Sequence, residues 1–314
     1  MDAYTPEGWR LESKENRAAL ESPKSLLKAQ RQGKILEAKA LVCDKAHNLW
    51  VNLGCMQGMI PREEGALGIR EGTVRDIALL ARVNRPVCFI VQEIRESPGE
   101  KPLAMLSRRE AQARCRREKL DRVVPGDVLD ARITHLEAFG AFADIGCGIV
   151  ALMPIDMISV SRIHHPRDRF RVGMDIRAVV RSTENGRITL SQRELLGTWL
   201  ENASRFSSGE TVAGIVRSVE PYGTFVELAP NLAGLAEKRE GVIPGQQASV
   251  YIKSILPERM KIKLVLIETF PTSETPAPPH YYFTGSHMDR FLYSPPGCAK
   301  HVETIFTPTQ PTDP

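Results

Sequence analysis

His135-Leu-Glu-Ala-Phe139-Gly-Ala-Phe142-Ala-Asp-Ile145-Gly is the stretch whose reading decides the fold, and it lies inside the segment 127–191. The two-residue period of a strand puts Phe142 and Asp144 on one face and Ala143 and Ile145 on the other. A face carrying a carboxylate is expected to be wet. Phe142 therefore reads either as a half-covered hydrophobe or as a ring displayed to a partner. Recurrence separates the two readings. The pattern returns at Tyr222-Gly-Thr-Phe225-Val-Glu227-Leu228, and more loosely at His47-Asn48-Leu49-Trp50-Val-Asn52-Leu53. Each copy has a flat ring, a residue that tolerates left-handed backbone (Gly140, Gly223, Asn48), a spacer and a second ring. The copies stand roughly 85 residues apart, which is a spacing of tandem domains rather than of solenoid or propeller units.

Composition bounds what such domains can be. The chain has 314 residues and is 42% hydrophobic, enough for two or three small cores. Net charge is only +4, from 42 Lys and Arg against 38 Asp and Glu, so any nucleic-acid surface must come from local placement of charge. Cysteines at 43, 55, 88, 115, 147 and 298 form no C-x-x-C pair and no disulfide framework, which predicts reduced thiols in a cytoplasmic protein. The amino-terminal residues lack a basic, apolar leader pattern and no apolar run reaches membrane-spanning length, so no membrane partner is expected.

Taken in order, residues 1–32 have helical spacing around Leu20, Leu26 and Leu27 and predict a helical or partly ordered arm. Residues 33–107 predict a degenerate module with strands at 35–43, 49–53, 57–61, 87–94 and 103–107 and a helix at 76–83. Five strands with a helix between the third and fourth is the order of an OB barrel. Residues 108–122 hold Arg108, Arg109, Arg114, Arg116, Arg117, Lys119 and Arg122 without Gly or Pro, and predict a basic connecting helix. That helix is either a solvated face or a phosphate-contacting spacer. A second module, 123–191, predicts strands at 128–136, 141–145, 148–152, 175–181 and 187–191, with Asn185-Gly186 as a hairpin turn and a basic segment from Arg162 to Arg171. Residues 192–207 predict another connecting helix, with Leu195, Leu196, Trp199 and Leu200 on its apolar side. A third module, 208–268, predicts strands at 211–220, 223–228, 232–236, 247–255 and 261–267. Residues 269–314 read as a Pro-rich linker and an irregular aromatic tail that docks, since disordered segments are poor in rings. The fold class is thus mainly β: three tandem five-stranded OB barrels joined by basic or amphipathic helices.

The motifs now on the page resemble a known family. Phe139-Gly-Ala-Phe142, Val150-Ala-Leu-Met-Pro154 and Arg187-Ile-Thr-Leu-Ser191, with Tyr222-Gly-Thr-Phe225 and Gly234-Leu-Ala-Glu237, resemble the RNA-binding repeat of bacterial ribosomal protein S-one. Residues 208–306, with Glu220-Pro-Tyr-Gly and the tail Tyr293-Ser-Pro-Pro-Gly-Cys298, are similar to a clostridial group of S-one-like proteins. The resemblance covers roughly residues 33–306. It implies that two rings and a basic residue opening the last strand line an RNA face: Phe139, Phe142 and Arg187 in the second module, Tyr222, Phe225 and Lys261 in the third, and His47 and Trp50 in the first. Pro61, Pro154 and Glu237 stand where the family carries a histidine, and Leu103 replaces the basic residue in the first module.

The chemistry of those residues points the same way without the name. Single strands are held by rings on which bases stack, at about 1–3 kcal/mol per base, and by cations that follow the phosphates. Little base discrimination is expected of such a surface. Glu227 and Glu237 near the third module's rings predict weaker binding there. No nucleophile–base arrangement or phosphate-cradling glycine loop is recognisable, so a non-enzymatic protein without cofactor or small-molecule substrate is expected. His164 and His165 read as surface histidines, and His287, Cys298 and His301 match no common zinc spacing. Two function classes remain open. One is a cytoplasmic protein that binds single-stranded RNA, foremost mRNA, in translation and near the small ribosomal subunit. The other is an adaptor whose barrels dock on proteins or the ribosome.

Overall fold

A computed structural model describes residues 4–96, 98–99, 101–271 and 276–306. The ends of the expected arm and tail and part of the Pro-rich linker, at 1–3, 272–275 and 307–314, lie outside the described residues. The chain divides into two compact units, one on residues up to 123 with 144–150, the other on 124–143 and from 151 onward.

In the first unit the arm forms α1 (Lys14–Leu20) and α2 (Pro23–Arg31). Ser13 caps α1 by accepting the Asn16 amide, and Ser22 with Ser25 closes a capping box on α2, whose first turn opens on proline. Leu26 and Ala29 of α2 belong to the hydrophobic core of the first barrel. That barrel is β1 (Leu36–Cys43), β2 (Leu49–Asn52), β3 (Gln57–Ile60), β4 (Pro86–Arg95) and β5 (Leu103–Ser107), closed in the order β1-β2-β3-β5-β4. Its parallel β3–β5 pair completes the ring and leaves no edge strand. The helix expected over 76–83 is a single turn, α3 (Ile77–Leu80), because Arg62 takes the Asp76 carboxylate that would have capped it and Asn84 turns the chain at φ +64°.

Helix α4 (Arg108–Glu118) follows directly and is anchored inward. Glu7 accepts Arg108 Nε at 2.7 Å and Nη2 at 3.0 Å, Arg82 Nη1 at 3.3 Å and the Cys88 amide at 3.0 Å. Burial alone would raise the Glu7 pKa, but the Arg108 guanidinium holds it below the usual carboxylate range. In the same unit Asp144 receives the amides of Glu7, Gly146 and Gly148 at 2.7, 2.8 and 3.0 Å. Glu37 accepts the Gly8 and Arg10 amides, while its burial and the Glu7 charge push its pKa up to about 7.

The second barrel is β6 (Val128–Glu137), β7 (Gly140–Asp144), β8 (Val150–Pro154), β9 (Asp175–Glu184) and β10 (Arg187–Ser191), closed in the order β10-β8-β7-β6-β9. Asn185 and Gly186 both take positive φ, +50° and +70°, as a two-residue hairpin turn requires. The helix expected over 192–207 is broken. A 3-10 turn, Arg193–Leu196, ends at Gly197 with φ +86°, and α5 (Trp199–Ala203) starts afresh from a Thr198/Glu201 capping box. A Cβ on Gly197 would stand 2.6 Å from the Tyr282 ring, so the break is needed to seat the tail.

The third barrel is β11 (Thr211–Glu220), β12 (Gly223–Ala229), β13 (Leu232–Ala236), β14 (Gln247–Leu256) and β15 (Lys261–Phe270), closed in the order β11-β12-β13-β15-β14. The tail docks as its ring content predicts: Met288, Phe291, Tyr293 and Phe306 enter a core with Trp199, Leu195 and Val216. It is not wholly irregular, since β16 (Arg290–Leu292) pairs antiparallel with β17 (Glu303–Ile305). Tyr293 Oη donates to the Asn231 carbonyl at 2.6 Å, so its burial leaves no polar orphan.

Candidate nucleic-acid interface

The ring pairs sit where two strands pass unusually close. A Cβ on Gly140 would lie 2.5 Å from the Met153 carbonyl oxygen, and one on Gly223 would lie 2.6 Å from that of Ala236. Glycine is required at these places for close approach. The expected reason, left-handed backbone, does not apply to Gly140, and in the first barrel His47 rather than Asn48 takes positive φ, at +62°. The ring before each glycine, Phe139 or Tyr222, is exposed, while the residue after it, Ala141 or Thr224, is buried.

In the second barrel Phe139 is 57% exposed, and its ring stands edge-on to the half-buried Phe142, centroids 5.9 Å apart at 89°. His135 lies 6.1 Å from Phe142 on its other side, tilted by 34°. Sequence reading quoted this histidine without assigning it a role. Counting the β6–β7 hairpin back from Gly140 finds it, because Thr134 Oγ1 already donates to the Phe142 carbonyl at 3.1 Å. Arg187 is exposed, two residues before Thr189, which pairs in parallel with Leu152 on β8. It thus opens a strand two places round the barrel from Phe142.

The third barrel repeats this geometry. Tyr222 is 70% exposed and edge-on to Phe225, centroids 6.2 Å apart at 89°. Phe225 faces Leu235 across β12–β13, and Leu235 faces Lys263 across β13–β15, so one row crosses three strands. Lys261 and Lys263 are both exposed on the same side of β15. Lys263 escaped the sequence reading although its two-residue offset from Lys261 signals it. The carboxylate expected to weaken this face is not on it: Glu227 is 5% exposed and binds Arg217 Nε at 2.7 Å, Arg217 Nη2 at 3.1 Å and Arg169. Asp144, expected on a wet face with Phe142, is likewise buried, at 2% exposure, in its cradle of amides. Glu237 is exposed.

The first barrel keeps the register and loses the electrostatics. Its row is Trp50–Met59–Met105, with Leu103 in the place held elsewhere by Arg187 and Lys261. Trp50 Nε1 donates to Asp44 at 3.0 Å, and that bond, with further donors from Asn48, lowers the Asp44 pKa. His47 Nδ1 is 3.9 Å from Asp76, and no ring contact joins His47 to Trp50 among the described residues. One carboxylate, Asp44, therefore holds the edge of the Trp50 ring, and a second, Asp76, lies beside His47 and is paired with Arg62.

The two arginine-rich segments also part company. Of the first, Arg108 is bound to Glu7, Arg109 to Glu64 and Arg114 to Glu110 and the Gly33 carbonyl, which removes them from the role of a phosphate-contacting spacer. In the second, Arg169 is buried, whereas Arg162, Arg167 and Arg171 are exposed with no carboxylate partner among the described residues. His164 is exposed yet not idle, since its Nε2 bonds the Arg217 carbonyl at 2.9 Å. No group of three or more His, Cys, Asp or Glu among the described residues has the arrangement of a metal site, and no helix is long and apolar enough to cross a membrane.

Comparison with known proteins places this geometry. Residues 122–193, the stretch that holds the second barrel, match the family described as S1 RNA binding domain. The small ribosomal subunit protein bS1 of Staphylococcus aureus (strain COL) is 30% identical over 200 residues, 58% of this chain and 51% of that protein. The bS1 protein of Staphylococcus epidermidis is 32% identical over 166 residues, covering 48% of this chain and 42% of that one. The chain thus spans about half the length of these curated relatives. A multidomain Streptococcus pneumoniae protein with nucleic acid binding domains aligns over 75% of this chain and 74% of its own, at 13% identity and a TM-score of 0.25, too low to carry an argument.

Proposed function

We propose that this chain is a cytoplasmic, non-enzymatic protein that binds single-stranded RNA, foremost mRNA, and acts in translation in association with the small ribosomal subunit. One observation carries the reading. Inside the segment that matches an RNA-binding family, an edge-on ring pair is displayed on a barrel face with an unpaired cation opening a nearby strand, and the third barrel presents the same set. Bases stack on Phe139 and Phe142, and Arg187 meets the phosphates. Tyr222, Phe225 and Lys261 do the same in the third barrel, with Lys263 adding a second cation. Stacking is sequence-tolerant because every base has a π-face, so little base preference is expected. The link to the small ribosomal subunit is supported by the bS1 relatives. Fluorescence anisotropy of labelled oligo-U, with the wild-type chain and a Phe139→Ala/Phe142→Ala variant, tests the mechanism: equal affinity would remove it.

The first barrel supports a second role, docking on a protein. It keeps Trp50 and Met59 but ties the ring to Asp44, and it exposes Leu41 and Val42 on β1. Such a surface repels phosphate and suits a protein partner.

A further inference from the structure

We propose that the long loop of the second barrel completes the RNA surface of the third, so that one RNA strand is held by rings from one barrel and arginines from the other. This rests on the RNA-binding reading above. The link begins at a defect in a strand. Along β11 the register runs Val216 opposite Val226 and then Ser218 opposite Phe225, which leaves Arg217 as a bulge outside the ladder. Its carbonyl is taken instead by His164 of the second barrel's loop, at 2.9 Å. One residue further along β11 stands Ser218, directly across from the stacking ring Phe225.

The loop is fixed there by buried contacts. The Val160 amide donates to Asn231 Oδ1 at 2.9 Å, and the Ser161 amide to the Pro230 carbonyl at 3.1 Å. Arg169 and Arg217 share the Glu227 carboxylate, and Arg217 Nη1 lies 3.4 Å from Asp168. These anchors consume the carboxylates of the junction, Asp168 and Glu227. The remaining arginines of the loop, Arg162, Arg167 and Arg171, are left at the surface without carboxylate partners among the described residues.

Beside Arg167 is a cavity of about 420 Å³ whose lining also includes Asp168, Arg169, Arg217 and His280. The buried Arg169 Nε has no hydrogen-bond partner there. The third barrel needs the loop's arginines, since its own connection between β13 and β14, residues 237–246, includes Glu237 and Glu240 and turns its Arg239 onto the Ile267 carbonyl at 2.6 Å.

The test is a double-mutant cycle on the full chain, read by anisotropy of a fluorescein-labelled 12-nucleotide oligo-U across a salt series. Arg162→Ala/Arg167→Ala/Arg171→Ala is expected to weaken binding roughly tenfold and to flatten the salt dependence by about 2 in log–log slope, as loss of three phosphate contacts on a single strand predicts. Combined with Tyr222→Ala/Phe225→Ala, the losses should fall well short of additive; combined with Phe139→Ala/Phe142→Ala they should add. The three arginines are exposed, so an unchanged thermal melt is expected to accompany the loss. The reverse pattern of coupling would assign the loop to its own barrel and overturn the proposal, as would an unchanged affinity of the arginine variant. Wild-type protein with no affinity for oligo-U is the separate outcome that removes the RNA reading itself, and this proposal with it.

Discussion

The first and second barrels set the same positions on the same strands and put different physics around them. Trp50 and Phe142 occupy matching places, but Trp50 is bonded to the Asp44 carboxylate, while Phe142 is flanked by the Phe139 and His135 rings, the latter paired with Glu137. Charge is sorted in the same way. In the first unit Arg82, Arg108 and Arg109 are committed to buried carboxylates, and in the second barrel's loop Arg162, Arg167 and Arg171 stand at the surface without a carboxylate partner among the described residues. A shared fold therefore decides where a ring can be displayed, and the surrounding ion pairs decide whether RNA can approach it.

The largest expected effect tests the structural half of that contrast. Arg108→Ala removes the bidentate partner of the buried Glu7 and leaves it only Arg82 as counter-charge, which should cost about 3 kcal/mol of stability in the first unit while oligo-U affinity holds in protein that remains folded. Urea titration alongside anisotropy checks both, and a loss of affinity without loss of stability would break the comparison. Next comes the ring pair of the second barrel. Phe139→Ala/Phe142→Ala should weaken oligo-U binding ten- to a hundredfold, at about 1–3 kcal/mol per stacked base, with Trp50→Ala as the control that changes nothing.

A smaller effect concerns pH. Glu37 has a folded pKa raised to about 7 by burial and by Glu7, so its contribution is fully present below the ordinary carboxylate value and lost as pH rises through about 7. The first unit should lose stability across that window, and Glu37→Gln, which keeps an acceptor for the Gly8 and Arg10 amides, should flatten the loss by about 1–2 kcal/mol in melts followed at several pH values. The smallest effect is Arg187→Ala. It should lower oligo-U affinity a few-fold and reduce the salt slope by about 0.7, the signature of one phosphate contact, and leave the melting temperature in place.

Strands and barrels were legible because alternation is local: β5, β10, β11 and β13 fall where the residue pattern puts them. The fate of charge was not. Asp144 and Glu227 each lie two residues beyond a displayed ring and by parity share its wet face, yet both are buried by donors far away in sequence, the Glu7 amide for one and Arg169 for the other. Parity says which way a side chain starts, and only the tertiary fold says what it meets. The broken helix at Gly197 was half legible, since Thr198-x-x-Glu201 is a capping box that announces a new start. What forced the break, the Tyr282 ring, arrives from a segment that carries no strand pattern at all.

That docked tail closes some of the longest loops in the described chain. The Val128 amide donates to the Ser286 carbonyl at 2.8 Å, the Met288 amide to the Gly126 carbonyl at 2.9 Å, and His287 reaches Asp127 across 160 positions of sequence. Loop closure on that scale slows the search for native contacts. During synthesis β6 can pair with β9 inside its own barrel, but its contacts with the tail need residues made after the whole third barrel. Until they emerge, the apolar seat for Met288, Phe291 and Tyr293 stands open, and the nascent chain depends on its own speed, or on a chaperone, to keep that seat from a wrong partner.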